Sequence, residues 1–117
     1  MSWRASSGLR SWLLQRLTAV YILLFLVVFA GLWSGQTITF ETWHAWVAHP
    51  AANVALLLFI FALLTHAWIG GRDVLMDYVT SVVIRYVLLV GFALSLLVLG
   101  VWSLRIVLLV SEGSSTV

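Results

Sequence analysis

The sequence contains no cysteine among its 117 residues. This absence excludes disulfide bonds, iron–sulfur clusters held by thiolates, cysteine nucleophiles and thiolate-bound zinc. Any metal centre in the chain must therefore be built from histidine or carboxylate side chains.

Charged residues are also scarce, and lysine is missing altogether. Only 9% of the residues are charged and 63% are hydrophobic, which gives a mean hydropathy of +1.13. Soluble domains carry about 25% charged residues, and a short chain needs many polar side chains to cover its surface. Six arginines and four acidic residues are also too few to form a basic groove along a nucleic acid. The composition excludes a soluble globule, a disordered chain and a nucleic-acid-binding module, and it predicts a small integral membrane protein.

Three apolar segments are long enough to cross a bilayer, which takes about 20 mostly apolar residues in a helix. They predict an all-α membrane protein: one domain over residues 1–117, with spans at about 12–33, 51–74 and 82–110. None of them shows the alternating pattern of a membrane β-barrel strand. The first span exceeds the apolar length of a signal peptide, so we expect it to be retained.

The arginines predict how the chain is oriented in the membrane. Arg4, Arg10 and Arg16 precede or open the first span, and Arg72 and Arg85 flank the loop between the second and third spans. The loop between the first two spans contains neither Arg nor Lys. The positive-inside rule then predicts a cytoplasmic N-terminus and a periplasmic C-terminus.

The first loop has helical periodicity. Phe40, Trp43 and Val47 fall at i, i+3 and i+7, which predicts a short helix lying in the membrane interface. His44 and His49 could instead bind a metal, but a spacing of five is poor for one helical face and no acidic or cysteine companion is near. Interfacial tryptophans form belts; we expect one belt of Trp33, Trp43 and Trp46 and another of Trp3, Trp12 and Trp68.

His66 is the ionisable residue inside the second span, and such residues are costly in a membrane and often functional. Ala62 and Gly70 share its helical face at i−4 and i+4. These small residues either leave room for a flat macrocycle or allow close helix packing. An imidazole is a standard axial ligand of haem iron, whereas a neutral histidine bonded to a neighbouring helix is the structural alternative. Because no second histidine lies at membrane depth, a six-coordinate haem would need its other ligand from another subunit.

The apolar run of the second span ends at about Gly71, and a polar cluster follows it: Arg72, Asp73, Asp77 and Tyr78. It could be an ordinary solvated helix end, although Asp73 and Asp77 are like charges at i, i+4. A tyrosine beside an acid can also donate a hydrogen bond to a quinone carbonyl. An alternative function is a small proton-translocating or transporter subunit in which His66 and Asp73 relay protons, and a third is a structural anchor without a cofactor.

Several segments resemble one protein family. The run LTHAWIG at 64–70, followed by DYV at 77–79, is similar to the hydrophobic membrane-anchor (D) subunit of bacterial succinate dehydrogenase. The runs QRLTA at 15–19 and TFETW at 39–43 resemble the N-terminal motif and first loop of the same family. The third span matches only in hydrophobic character, and Gly71-Arg72-Asp73 departs from the bulkier apolar residues of many relatives.

The resemblance implies an anchor subunit of succinate:quinone oxidoreductase, respiratory complex II, in the bacterial inner membrane. It implies that His66 is one axial ligand of a haem b, shared with a second anchor (cytochrome b) subunit that supplies the other histidine. It further implies that Tyr78 and Asp77 bind ubiquinone or menaquinone, and that Arg16 faces the haem propionates or the quinone region.

The same resemblance implies that the chain has no catalytic residues for succinate oxidation. That reaction belongs to a flavoprotein and an iron–sulfur subunit, which this chain and the second anchor would hold at the membrane. Such heterotetramers could further assemble as trimers.

Overall fold

The computed structural model describes residues 3–115, with side chains described for 8–112. This part of the chain is entirely helical apart from its connections. Its four helices are α1 (Trp3–Trp33), α2 (Phe40–Ala48), α3 (Pro50–Tyr78) and α4 (Val82–Ser115). Three segments are long and apolar enough to span a membrane: Gly8–Trp33, Pro50–Tyr78 and Val82–Glu112. The predicted all-α fold with three spans and a short helix in the first loop is confirmed; the side chains of Trp3 and Arg4 lie outside the described residues.

The starts of α2 and α3 are determined by local hydrogen bonds. Thr39 and Thr42 form a reciprocal capping box, in which each hydroxyl accepts the backbone N–H of the other residue at 3.2 and 3.0 Å. The Nδ1 of His49 accepts the N–H of Ala51 at 3.2 Å, and Pro50 occupies the first position of α3. Proline is favoured there because its missing N–H would have no helical partner. His49 therefore caps a helix.

The second span is longer than predicted. The sequence suggested that it ends near Gly71 or Val74, with the polar cluster after it, but α3 continues to Tyr78 and includes that cluster. Glycine costs about 1 kcal/mol in a helix interior, yet Gly71 packs directly against the ring of Phe92 on α4. Close tertiary packing therefore outweighs the local propensity.

The helix ends where Arg85 caps it. The N–H of Val79 donates to the carbonyl oxygen of Leu75 at 3.1 Å, and Nε of Arg85 donates to the carbonyl oxygen of Val79 at 3.1 Å. The guanidinium of Arg85 thus fixes the short connection between α3 and α4.

The centre of the bundle is α3, which packs against each of the other three helices. Within the described residues α1 and α4 do not pack against each other; they contact roughly opposite faces of α3. Few residues are buried, and they are Val47, Asn53, Ala62, Ile69 and Val107. Most of the large apolar side chains are exposed, so this surface is available to lipid and to other membrane subunits.

Aromatic rings join α1 to α3, and a buried amide docks α2 onto the end of the bundle. Phe25 and Phe59 stack at 4.3 Å between ring centroids, which ties α1 to α3. Asn53, only 6% exposed, donates to the carbonyl oxygens of Val47 at 3.1 Å and Val107 at 3.3 Å. The tryptophans predicted to form one belt do lie together, with centroids 5.5 to 6.1 Å apart: Trp33, Trp43 and Trp46.

Candidate functional site

His66 lies on the face of α3 that meets α1, where it is partly buried. Its Nδ1 is 3.1 Å from the hydroxyl oxygen of Thr18. That hydroxyl also lies 2.7 Å from the carbonyl oxygen of Leu14 and 3.1 Å from that of Gln15. A hydroxyl has a single hydrogen, which here is donated to the preceding turn of α1.

The contact between the two helices suits one tautomer of His66. In the tautomer with its hydrogen on Nδ1, the ring donates to the hydroxyl oxygen of Thr18, and Nε2 has a free lone pair, which is the form in which neutral imidazole binds a metal. Nε2 makes no hydrogen bond within the described residues.

The small residues beside His66 allow close helix packing. A Cβ added to Gly70 would lie 3.2 Å from the Nε2 atom of Gln15 on α1, and Ala62 is only 7% exposed. At Gly70 the side chain of Gln15 lies close to α3, which agrees with the close-packing alternative.

Arg16 points away from this contact. It is exposed, and its guanidinium carbon lies 5.4 Å from the ring centroid of Trp12. The arginine between α1 and α3 is instead Arg72, whose Nη2 donates to the hydroxyl of Ser11 at 3.4 Å and to Asp73 at 3.5 Å.

Asp77 and Tyr78 occupy the last turn of α3, and Tyr78 is 81% exposed. At 1.5 Å per residue, this turn lies about 17 Å beyond His66 along the helix axis. The chain therefore does not bring Tyr78 and His66 into one site. It presents two separate groups.

The two loop histidines have ordinary surroundings. His49 caps α3, and the ring of His44 lies 5.5 Å from that of Phe40. Within the described part of the chain, no three or more His, Cys, Asp or Glu residues are grouped as a metal site would require.

Sequence reasoning missed three polar residues on one face of α1. Ser11, Gln15 and Thr18 fall at i, i+4 and i+7, and each faces α3. A polar stripe along an apolar span is a detectable signal that such a face has a partner.

Comparison with known proteins places the chain in a family. A family model for the succinate dehydrogenase/fumarate reductase transmembrane subunit matches residues 1–101. The chain belongs to this family. A relative from Coxiella burnetii (strain RSA 493 / Nine Mile phase I), named succinate dehydrogenase hydrophobic membrane anchor subunit, is 33% identical over 105 residues, covering 84% of this chain and 86% of the relative.

The resemblance drawn from residues 64–79 is thereby confirmed. A transmembrane subunit of succinate dehydrogenase/fumarate reductase is part of an oxidoreductase complex in a membrane. Membership of such a complex accounts for a bundle whose second span buries only Asn53, Ala62 and Ile69 within the chain.

Proposed function

We propose that this chain supplies one axial ligand of haem b through His66 and part of the quinone-reduction site through Tyr78 and Asp77. It also anchors the flavoprotein and iron–sulfur subunits to the bacterial inner membrane. The observation that supports this function best is the 3.1 Å contact between Nδ1 of His66 and the hydroxyl of Thr18, because a hydrogen bond made at Nδ1 keeps Nε2 free to bind iron.

The donor set of this chain fits one side of a haem. Histidines that bind metals usually donate their other N–H to an acceptor, which fixes the ring and makes the ligating nitrogen more basic. Thr18 is such an acceptor for His66. When bound, the haem supplies a one-electron redox centre. A histidine of the second anchor (cytochrome b) subunit would hold the other side of the haem.

The end of α3 supplies groups suited to a quinone, either ubiquinone or menaquinone. The exposed hydroxyl of Tyr78 donates a hydrogen bond to a quinone carbonyl, and the carboxylate of Asp77 exchanges protons with water. A quinone takes up two protons with two electrons, so a site at the membrane surface is favourable. Arg85 holds this end of α3 in place through the carbonyl of Val79.

The charge distribution supports an orientation for this assembly. Arg10, Arg16, Arg72 and Arg85 share one end of the bundle, which the positive-inside rule assigns to the cytoplasm. The flavoprotein and iron–sulfur subunits dock at this end, near Tyr78. Arg16 is exposed there, where it can face the haem propionates or the quinone region.

The test of this function is the absorption spectrum of the purified complex with His66→Ala. We expect the chain to insert and assemble, with the reduced b-type haem signal weakened or lost. The control is His44→Ala, which changes a histidine outside the spans and keeps the wild-type spectrum. Full haem occupancy with unchanged coordination in His66→Ala would show that His66 is not the ligand.

A second measurement tests the shared haem. Expressed without the second anchor subunit, this chain offers one axial histidine and is expected to give no normal six-coordinate spectrum. A normal spectrum from the chain alone would contradict the shared site.

A further inference from the structure

A large groove lies between α3 and α4, in the half of the bundle that contains Tyr78. Its volume is about 690 Å³, within the range of roughly 300–1,000 Å³ that ligand pockets have. Apolar residues from both helices form its walls: Gly70, Gly71, Val74, Leu75, Val87, Leu88, Gly91 and Phe92. The groove therefore suits an uncharged hydrocarbon chain, and none of these side chains can bind a polar headgroup.

The groove leads to Tyr78. Four residues of α3 share one face of the helix because they fall at i, i+3, i+4 and i+7: Gly71, Val74, Leu75 and Tyr78. At 1.5 Å per residue, Leu75 lies about 4.5 Å before Tyr78 along the helix axis, and Gly71 lies about 10.5 Å before it. The groove thus begins one turn from the exposed tyrosine and runs from there toward the middle of the span.

One position in the groove has open space. A Cβ added to Gly91 would meet no atom within 4 Å, whereas the space at Gly71 is taken by the ring of Phe92. A hydrocarbon chain lying in the groove can therefore place a methyl branch beside Gly91.

We propose that this groove binds the isoprenoid tail of the quinone whose headgroup meets Tyr78. The inference rests on the proposed quinone site and adds where the rest of the molecule lies. Because the tail is attached to the quinone ring, a headgroup at the membrane surface sends the tail toward the hydrocarbon core, which is the direction of the groove. A phospholipid acyl chain is the alternative occupant, but it has no methyl branches and leaves the space beside Gly91 empty.

The expected contribution to binding is moderate. The bilayer is itself apolar, so the tail gains close packing in the groove rather than removal from water. We therefore expect severalfold effects on the KM for the quinone.

The first test measures quinone reduction by the intact complex with two quinones that share one ring, one without a tail and one with two isoprenoid units. Gly91→Leu fills the open space and should raise the KM for the tailed quinone severalfold. The KM for the tail-less quinone and both maximal rates should stay the same, because a contact made equally in the ground state and the transition state changes KM alone. An unchanged KM for the tailed quinone, or an equal rise for both quinones, would overturn the proposal.

The matched control is Gly31→Leu. Gly31 is an exposed glycine of α1, outside the groove, and a Cβ there also meets no atom within 4 Å. Both KM values should stay at the wild-type level in this variant. A rise that matches that of Gly91→Leu would show a general effect of bulk on the bundle and would overturn the proposal.

Photo-crosslinking of the wild-type complex measures occupancy without turnover. A quinone with a diazirine at the end of its second isoprenoid unit should label residues 70–75 and 87–92, and excess unlabelled tailed quinone should suppress the labelling. Labelling outside the groove would overturn the proposal. So would a phosphatidylcholine with a diazirine in its acyl chain, if it labels the same residues and excess quinone does not suppress that labelling.

Tyr78→Phe separates a failure of this inference from a failure of the headgroup assignment. If Tyr78→Phe lowers the reduction of both quinones while Gly91→Leu leaves both KM values unchanged, the headgroup site stands and the groove is wrong. If Tyr78→Phe has no effect while Gly91→Leu raises the KM for the tailed quinone alone, the groove stands and the headgroup contact is wrong.

Discussion

The two sides of α3 differ in how they hold their neighbours. Toward α1, the contact includes polar groups: His66 bonds to Thr18 at 3.1 Å, and the hydroxyl of Tyr21 donates to the carbonyl oxygen of Ala55 at 2.7 Å. Toward α4, the contact relies mainly on close packing, with Gly71 against the ring of Phe92 and one side-chain hydrogen bond from Asn53 to Val107 at 3.3 Å. Lipid gives no hydrophobic drive for helices to associate, so they use close packing or hydrogen bonds.

The three spans have similar mean hydropathies of 2.2, 2.1 and 2.5, so hydropathy does not distinguish the two sides of α3. The side facing α1 carries the histidine, and the side facing α4 is mainly a packing contact. On α4, the hydroxyl of Ser95 bonds to the carbonyl oxygen of Gly91 in its own helix at 2.8 Å. The contact between α1 and α3 holds the histidine, whereas that between α3 and α4 fixes the helix that carries it. Variants on the two sides should therefore fail in different ways.

The largest effect is expected at the C-terminal end of α3, outside its contacts with α1 and α4. Tyr78→Phe removes one hydroxyl while keeping the ring, and it should lower quinone reduction about ten- to a hundredfold. A lost hydrogen bond with an unpaired partner costs about 1–3 kcal/mol, and 1.36 kcal/mol is tenfold in rate. The measurement compares quinone with a soluble electron acceptor, for which succinate oxidation should be nearly unchanged.

The same pair of assays examines Asp77. Asp77→Asn should share the selective loss if the carboxylate exchanges protons at the quinone. Equal losses with both acceptors would point to damaged assembly, and no loss with either would place the quinone away from Tyr78.

On the α1 side, Thr18→Val should weaken haem retention by about tenfold or more, because partners of metal-ligating histidines typically contribute 10- to 100-fold in affinity. The haem-to-flavin ratio of the purified complex and the haem midpoint potential measure the effect. Thr18→Ser retains the hydroxyl and should restore both values. Wild-type haem content and potential in Thr18→Val would contradict the tautomer argument.

On the α4 side, Gly71→Leu should lower the stability of the assembled complex by about 1–3 kcal/mol, as overpacking does. The expected result is a lower midpoint of thermal unfolding with an unchanged ratio of quinone to soluble-acceptor activity. Gly91→Leu is the control, since a Cβ at Gly91 meets nothing within 4 Å. A selective loss of quinone activity in Gly71→Leu would show that the α4 side also takes part in the chemistry.

The smallest effect is expected at Asn53. Asn53→Leu keeps a similar volume but leaves two carbonyl oxygens without their donor, and hydrogen bonds between membrane helices average about 0.6 kcal/mol, with a maximum near 1.7. Thermal unfolding should begin slightly earlier, with haem content unchanged. The control is Val54→Ala, at the exposed neighbouring position. A loss of haem in Asn53→Leu but not in Val54→Ala would contradict this prediction, because it would show that haem binding depends on this end of the bundle.

The spans could be predicted because a bilayer imposes a minimum apolar length on every helix that crosses it. The C-terminal end of α3 could not be predicted, because it depends on contacts made by Phe92 and Arg85 from the following helix. Local sequence shows only a Gly-Gly pair and a polar cluster, which usually indicate a helix end.

The residues of the candidate site also differ in whether the sequence could predict them. His66 could be identified because an ionisable group in an apolar span is conspicuous on its own. Its partner Thr18 could not be identified, since the pairing of the two side chains depends on how α1 and α3 are rotated relative to each other. Tyr78 is exposed, so its role in binding a quinone stays a prediction, as do the predicted orientation and the role of Arg16.

The side-chain amide of Asn53 has a consequence for the order in which the protein is made. One of its bonds, to Val47, joins residues close in sequence and can form as soon as α3 begins to emerge. The other, to Val107, must wait until nearly the whole of α4 has been synthesised and inserted. The docking of α2 is thus completed only when the last span is in place, so in a chain stopped short of Val107 the amide of Asn53 keeps its bond to Val47 and lacks its second acceptor.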